Sequence, residues 1–383
     1  MNLALSDEQV FLREAARGAL SRFKTLEAAR AALDGDEGAL PDLWPTAKEA
    51  GWPGLLIGEG DGGAGLDAFD AMLILGECGR VLAAIPLLGH LLASAILSDG
   101  PAGAPLLGPL AVGDRRAAYL PVSPPDDLSG RWTADPAHGV ERPPAPSAAG
   151  SGGEARVSGE LWFVPDAPDA DLLVGVALRG EEPVGVAIET SADGVRIETT
   201  SRYDATRSLG HISLDDAEAL VLDAPADSLA AAWHLAQALL AAESIGSVET
   251  ALEVSVAYAK DRHTFGRAIG SYQAVKHSLT EVLRQLDNGR SLLYYAGWAR
   301  RGAPAEFPLA ASAARSVAGR ALDQATRTMI SVHGGTGATW EHDAPLYFRR
   351  AQLSRRLLGG TSGATDRVAG ELMAQARAVP RKR

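Results

Sequence analysis

The stretch Tyr258-Ala-Lys-Asp-Arg-His-Thr-Phe-Gly-Arg-Ala-Ile-Gly-Ser-Tyr-Gln273 decides how the second half of the chain folds. A segment rich in Ala and Leu, with helical spacing and no internal proline, precedes it from about Asp227. A second helical segment follows from Gln273 to about Arg300. Glycine readily adopts the positive φ at which helices end, so Gly266 and Gly270 predict a compact turn between two long helices.

Three side chains in and beside this turn have the chemistry of a binding corner. Arg262 can bind a phosphate, Phe265 can cover an apolar ring, and Gln273 can both donate and accept an amide hydrogen bond. The residues alone also allow an ordinary helix–turn–helix corner, in which Arg262 forms a surface ion pair.

A second motif lies downstream, His333-Gly-Gly-Thr-Gly-Ala-Thr-Trp-Glu-His-Asp343, and is followed by Leu346-Tyr-Phe-Arg-Arg350. Glycine lets backbone N–H groups come close to a phosphate, so Gly334, Gly335 and Gly337 predict a phosphate-binding turn. The alternative is an ordinary turn at the C-terminal end of a helix.

Together, the two motifs resemble the acyl-CoA dehydrogenase family. The first fills the pattern Y-A-x-x-R-x-x-F-G-x-x-I-x-x-x-Q-x-x-x-H, where Gly266, Ile269 and His277 accompany the residues named above. The run Trp340-Glu-His-Asp343 is most similar to the actinobacterial branch that includes sterol side-chain dehydrogenases. A weaker resemblance extends over nearly the whole chain.

The resemblance implies a mainly α fold with a β middle domain: an N-terminal helical domain (1–111), a small β-barrel (112–224) and a C-terminal four-helix bundle (225–383). The residues themselves agree with this division. Ser6 is suited to cap a first helix, and helical spacing recurs over 42–50, 68–78 and 87–97. Between turn residues, short apolar runs predict strands of a barrel or sandwich, at 118–122, 172–177, 184–188, 195–197 and 220–222. The segment 135–154, rich in Pro, Ala, Gly and Ser, predicts a flexible loop.

The resemblance also implies a reaction. In this family an α-proton is removed from a CoA thioester and a β-hydride passes to FAD, which is reoxidised by electron-transfer flavoprotein or a similar acceptor. We therefore expect FAD as cofactor and an acyl-CoA substrate, with a sterol-derived or other bulky acyl group. Arg262, Phe265 and Gln273 match positions that reach the FAD of a neighbouring subunit, which implies a homo- or hetero-oligomer. The turn with Gly334, Gly335 and Gly337 matches the one near the ADP part of FAD.

Neither family position for the proton-abstracting carboxylate carries one here. The motif Y-E-G-T-S corresponds to Leu358–Ser362, where Gly359 replaces the glutamate, and the second position corresponds to Ala236-Gln237. Glu243 lies two turns further along the same helix, alone in an apolar run, and is our candidate for the catalytic base. The alternative is a buried carboxylate bonded to an arginine or a backbone group across the bundle.

The middle domain departs from the family as well. The flavin-facing loop T-E-P-x-A-G-S-D has no counterpart, since Val122–Asp126 contains no Gly-Ser-Asp. Aligned on Gly159, Phe163 stands where the family often has a tryptophan near the flavin. Pro165 stands where a threonine usually contacts it, and proline offers neither a hydroxyl nor a backbone N–H. Two interpretations stay open: a dehydrogenase subunit for α,β-dehydrogenation, and a catalytically incompetent partner subunit that completes the flavin site of an α2β2 heterotetramer.

Bulk properties argue against several other classes. With 36 basic and 48 acidic residues the net charge is −12, which disfavours a broad nucleic-acid-binding surface. The single cysteine permits no internal disulfide, and neither a signal peptide nor a membrane-spanning run is recognisable, so we expect a cytoplasmic protein. The spacing in Trp340–Asp343 fits no standard zinc pattern, so we expect no metal. The pairs Arg349-Arg350 and Arg355-Arg356 are candidates to hold an anionic ligand, and the alternative, which we favour, is that they lie on solvated helix faces.

Overall fold

The computed structural model describes residues 4–36, 38–121, 144–200 and 203–378. The N-terminal part is helical, with α1 (Asp7–Leu20), α2 (Thr25–Leu33), α3 (Trp44–Glu49), α4 (Ala68–Arg80), α5 (Leu87–Asp99) and α6 (Ala104–Ala111). Ser6 caps α1 as predicted: its Oγ accepts a hydrogen bond from Gln9 N, and the Gln9 side chain accepts one from Ser6 N. The apolar spacing does not predict α2, of which only Thr25 and Ala29 are buried.

Within the described residues, seven strands form the middle part: β1 (Ala117–Leu120), β2 (Ser147–Ala149), β3 (Glu154–Pro165), β4 (Leu172–Arg179), β5 (Glu182–Glu189), β6 (Val195–Thr199) and β7 (Leu209–Val221). Backbone pairing closes a ring in the order β4, β2, β3, β7, β5 and back to β4. Strand β1 is added parallel to β4, and β6 antiparallel to β7. Residues such as Val157, Leu173 and Ile212 fill the interior, so the predicted barrel is confirmed.

The predicted flexible loop at 135–154 is wrong in its second half. Residues Ser147–Ala149 form β2 and pair with β3, which gives their backbone groups partners. Residues 135–143 lie outside the described part of the chain, as does the segment Val122–Asp126. The strand that contains Gly159 and Pro165 is also longer than its sequence motif, because it continues back to Glu154.

The C-terminal part is helical, with α7 (Ala226–Asp261), α8 (Gln273–Gly302), α9 (Phe307–His333), α10 (Ala344–Ser354) and α11 (Gly360–Ala378). Helices α7, α8 and α9 pack against one another, and α10 and α11 pack on α9. The short strands β8 (His263–Thr264) and β9 (Arg267–Ala268) form a hairpin between α7 and α8. The bundle and the turn predicted at Gly266 are therefore confirmed.

Helix α7 also packs closely on the N-terminal helices. A Cβ atom on Gly246 would lie 1.9 Å from O of Gly76 on α4, so the two backbones touch. The N-terminal helices and the bundle share one apolar core for this reason. The division of the chain at residues 111 and 224 remains a prediction. Among the helices of the described residues, none has the length and apolar character that a membrane crossing requires.

Candidate functional site

The corner between α7 and α8 presents the residues predicted to bind a cofactor. Arg262 follows the last residue of α7, and its N donates to O of Tyr258 at 2.8 Å. Phe265 occupies the hairpin turn at φ 53° and is 93 % exposed. Positive φ is strained for a bulky side chain, and such strain persists only where the surroundings enforce it. Phe265 is therefore held in the solvent, in position to contact something outside this chain.

The corner is rigid rather than loose. Ile269 N donates to O of Arg262 at 2.7 Å, and the Tyr272 hydroxyl donates to O of Thr264 at 3.1 Å. The guanidinium carbon of Arg267 lies 4.0 Å from the centre of the Tyr272 ring. These bonds fix the directions in which Arg262, Phe265 and Gln273 leave the surface, and all three are exposed.

The glycine turn after α9 has two open positions and one packed position. Gly334 has φ 62° and ψ −138°, a conformation that requires glycine. A Cβ atom on Gly334 or Gly335 would meet no atom within 4 Å, whereas one on Gly337 would lie 2.7 Å from O of Ile330. The backbone at Gly334 and Gly335 is therefore accessible to a ligand, and Gly337 serves the packing of the turn.

Aromatic stacking brings the corner and the glycine turn together. The ring of Tyr258, one turn before Arg262, lies 4.3 Å from the ring of His333, the last residue of α9. The His333 ring lies 4.1 Å from that of His342, which precedes α10. The stack was not predicted from the sequence, although all three residues belong to the two motifs. Through it the two predicted cofactor-binding segments form one surface.

The two segments that carry the family positions for the base, Ala236 and Gly359, meet in the structure through their neighbours. Gln237 Nε2 donates to O of Leu358 at 3.0 Å, and Gly359 is the next residue. Leu358, Gly359 and Gly360 have φ of 50°, 79° and 73°, so the backbone turns sharply here. Gln237 and Leu358 are buried. This place therefore holds an amide bonded to a carbonyl, and neither position supplies a carboxylate.

Glu243 lies in a buried network of charges instead. Its Oε1 accepts from Arg350 Nη1 at 2.6 Å, and its Oε2 is paired with Arg207 Nη2. Arg350 Nε donates to Asp204 Oδ2 at 2.6 Å, and Arg350 Nη2 donates to O of Thr206 at 3.0 Å. Both oxygens of Glu243 thus face arginines, as the structural alternative requires. Its catalytic role stays a prediction.

Arg350 corrects the prediction of a solvated arginine pair. Arg349 lies on the surface, between the rings of Tyr203 and Trp340, whereas Arg350 is 1 % exposed. Burial lowers the pKa of Arg350, but Asp204 and Glu243 outweigh it and raise the pKa overall. The sequence gives little indication that Arg350 is buried. An arginine at the edge of the apolar face of a helix can be buried or exposed, and its neighbours in the fold decide which.

The middle domain offers little to a flavin at the positions described. Phe163 has φ 57°, and Pro165, which has no N–H, pairs with Leu209 of β7. Asp166 accepts from Gly89 N at 3.1 Å near the start of α5, and burial raises its pKa to about 6. A cleft of about 390 Å³ adjoins these residues, with Arg207 on its wall.

Comparisons with known proteins cover almost the whole chain. The family models for the N-terminal and C-terminal domains of acyl-CoA dehydrogenases match residues 6–102 and 230–373. Acyl-CoA dehydrogenase IpdE2 of Mycobacterium tuberculosis is 30 % identical over 368 residues, which are 96 % of this chain and 98 % of that protein. Acyl-CoA dehydrogenase FadE34 of the same organism is 31 % identical over 379 residues, 96 % of this chain but 48 % of that protein.

A solved structure, the "Tcur3481-Tcur3483 steroid ACAD G363A variant", has the same fold. It superimposes with a TM-score of 0.85 at 27 % identity and covers 97 % of this chain and 99 % of the other.

Proposed function

Since the chain belongs to the acyl-CoA dehydrogenase family, we propose that it is the partner subunit of a heteromeric acyl-CoA dehydrogenase. In this role it completes the FAD site of a second, catalytic chain and does not itself remove the α-proton. It lends Arg262, Phe265 and Gln273 to that site, together with the open backbone at Gly334 and Gly335.

One observation carries the proposal: the place of the base contains no free carboxylate. Gln237 is bonded to O of Leu358, next to Gly359. A general base needs an oxygen lone pair within reach of the proton that it removes. Glu243, the nearest candidate along α7, is engaged by an arginine on each oxygen, so its carboxylate is not directed at an open substrate position.

The geometry of the corner supports the cofactor role. FAD, when bound in the complex, supplies the acceptor for the substrate hydride. Arg262 offers charged donors to its diphosphate, and Phe265 offers a flat apolar face to a ring. The glycine turn adds the backbone N–H group of Gly335, whereas that of Gly334 donates to O of Ser331 at 3.2 Å. An exposed, rigid corner suits a group that lies across an interface, because its residues need not reorganise on binding.

We infer a bulky, steroid-derived acyl-CoA as substrate of the complex, with electron-transfer flavoprotein as electron acceptor. The similarity to a protein named as a steroid dehydrogenase supports the substrate class. The name of that structure joins two designations, Tcur3481 and Tcur3483, and FadE34 is about twice as long as this chain. Both facts favour an assembly in which a second unit works with this one.

A second candidate is a self-sufficient dehydrogenase that uses Glu243. Its deep burial favours this reading, since a base works best where water is excluded. The ion pairs with Arg207 and Arg350 would then have to open when substrate binds.

The experiment is purification with and without a second chain. The test partner is a family member from the same genome that carries a carboxylate at one of the two base positions. We expect this chain alone to be colourless and inert towards CoA thioesters, and the co-expressed pair to be yellow and bleached by substrate. A chain that purifies yellow by itself and is bleached by a CoA thioester contradicts the proposal and favours Glu243 as the base.

A further inference from the structure

The start of α10 depends on an imidazole. Ala344 N, the first N–H of the helix, donates to Nδ1 of His342 at 3.0 Å. The next residue, Pro345, has no N–H, and the Asp343 side chain is paired with Arg30 instead of capping the helix. An amide N–H can only donate, so Nδ1 of His342 must carry no proton. His342 is therefore neutral in this arrangement, with its hydrogen on Nε2.

The same ring stacks on the residue that ends α9. His333 Nδ1 lies 2.7 Å from O of Met329, and a carbonyl can only accept, so this nitrogen carries a hydrogen. The centres of the His342 and His333 rings are 4.1 Å apart, and the centres of the His333 and Tyr258 rings are 4.3 Å apart. The stack thus joins the end of α7, the end of α9 and the start of α10.

The glycine turn spans the gap between two of these rings. Gly334 follows His333 directly, and the turn returns to the stack at His342. Gly334 and Gly335 have no side chains and open space around them, so they contribute little packing of their own. The turn is held in place by its own backbone hydrogen bonds, such as that from Ala338 N to O of Gly335 at 3.1 Å, by the packed Gly337, and by the contact between the two imidazoles.

We propose that His342 is a positioning residue: its neutral ring holds the glycine turn and the start of α10 against the end of α7, and protonation of the ring releases them. The part of this inference that concerns FAD rests on the proposed function; the part that concerns α10 does not. A protonated Nδ1 would point a second donor at the N–H of Ala344, and the hydrogen bond would be lost.

Three groups act on the charge of His342. They are His333 on α9, Arg30 on α2 and the adjacent Asp343. Burial, His333 and Arg30 lower the pKa of His342, while Asp343 opposes them, and the net direction is downward from 6.5. The folded state thus favours the neutral ring. The neutral ring of His342 therefore contributes fully to the stability of the folded state above its ordinary pKa, and this contribution is lost as the pH falls through its pKa in the folded state.

Hydrogen exchange on the isolated chain tests the α10 part. Between pH 8 and pH 5 we expect the protection of the Ala344 amide, corrected for intrinsic exchange, to fall by up to about tenfold per pH unit once the ring begins to protonate. The amide of Gln9 is the internal control, because the Ser6 hydroxyl that caps it does not titrate. Protection at Ala344 that follows Gln9 over this range overturns the proposal.

Two variants separate the cap from the charge. His342→Asn keeps an oxygen that can accept from Ala344 N but cannot be protonated, so its protection should not depend on pH. His342→Phe keeps a ring for the stack but has no acceptor, so its Ala344 amide should be poorly protected at every pH. If the Ala344 amide of His342→Asn loses as much protection at low pH as that of the original chain, the proposal is overturned. If His342→Phe does not fold, His342→Asn alone is a sufficient test.

Flavin retention by the co-expressed complex tests the remaining part. We expect the original complex to release flavin severalfold faster at pH 5.5 than at pH 7.5, measured by the rise in free-flavin fluorescence, and the His342→Asn complex to show no such difference. If exchange at Ala344 behaves as expected but no complex holds flavin at any pH, the proposed function fails and the positioning of α10 by His342 stands. Equal acid release from both complexes overturns the link between His342 and the cofactor.

Discussion

The exposed corner at Arg262 and the buried network at Glu243 lie on the same helix, yet they differ in every physical respect. At the corner, charged and aromatic side chains point into solvent from a strained, rigid hairpin. At the network, every charge has an opposite partner and almost no exposed surface. The buried charges are satisfied within the chain, whereas the exposed side chains of the corner leave donors and apolar surface available to a ligand.

The largest effect should come from breaking the network. Arg350→Met leaves Asp204 and Glu243 with one buried cation fewer, which should destabilise the chain by about 3–5 kcal/mol. Urea unfolding followed by circular dichroism measures this change. The control is Arg355→Met: its side chain is exposed and pairs with Asp323 at 3.8 Å, so its loss should cost about 1 kcal/mol or less. Equal losses in the free energy of unfolding for the two variants would show that the buried network stabilises the chain no more than a surface arginine does.

Glu243→Gln distinguishes a structural role of Glu243 from a catalytic one, because stability and turnover can be measured separately in this variant. The amide oxygen still accepts one hydrogen bond, so we expect a loss near the lower end of the range for buried pairs, about 3 kcal/mol. Turnover per bound flavin in the co-expressed complex should not change. A folded variant whose turnover falls by orders of magnitude would instead identify Glu243 as the base, and the network would then be a feature of the resting enzyme.

At the corner we expect the opposite of the network: a substitution should have a large effect on flavin binding and a small effect on the stability of the chain. Arg262→Ala should weaken flavin binding by the complex by about 1.5–3 kcal/mol, the usual contribution of a hydrogen bond to a charged group. Unfolding of the isolated chain should hardly change. Arg284→Ala is the matched control, since Arg284 is an exposed arginine on α8 that pairs with Glu281. A loss of flavin as large in the control would rule out a specific role for Arg262.

The smallest effect should be a gain in stability. Phe265→Asn replaces a bulky residue at positive φ by one that tolerates it, and should stabilise the isolated chain by about 1 kcal/mol while weakening flavin retention by the complex. Phe11→Asn is the control, because Phe11 is 74 % exposed but lies in a regular helix. It should give no gain in the thermal midpoint. If Phe265→Asn destabilises the chain as well, the hairpin is not strained in the way described.

Much of the fold was predictable because its signals are local. The ends of α7 and α8 follow from glycines and helical spacing, and the barrel follows from short apolar runs between turn residues. The strand β2 and the helix α2 were missed for the converse reason. Ser147–Ala149 has no apolar alternation of its own, and it becomes a strand only because β3 and β4 supply its partners.

The sequence alone was enough for the family, for most of the helices and strands in their order, and for the outward-facing residues of the corner, since these depend on spacing within a few turns of chain. Only the tertiary structure decided that Asp204, Glu243 and Arg350 form one network, that Gln237 meets Leu358, and that Tyr258, His333 and His342 stack. These residues are far apart along the chain. Their pairing depends on how the barrel and helices pack, and burial then decides which charges must find a partner.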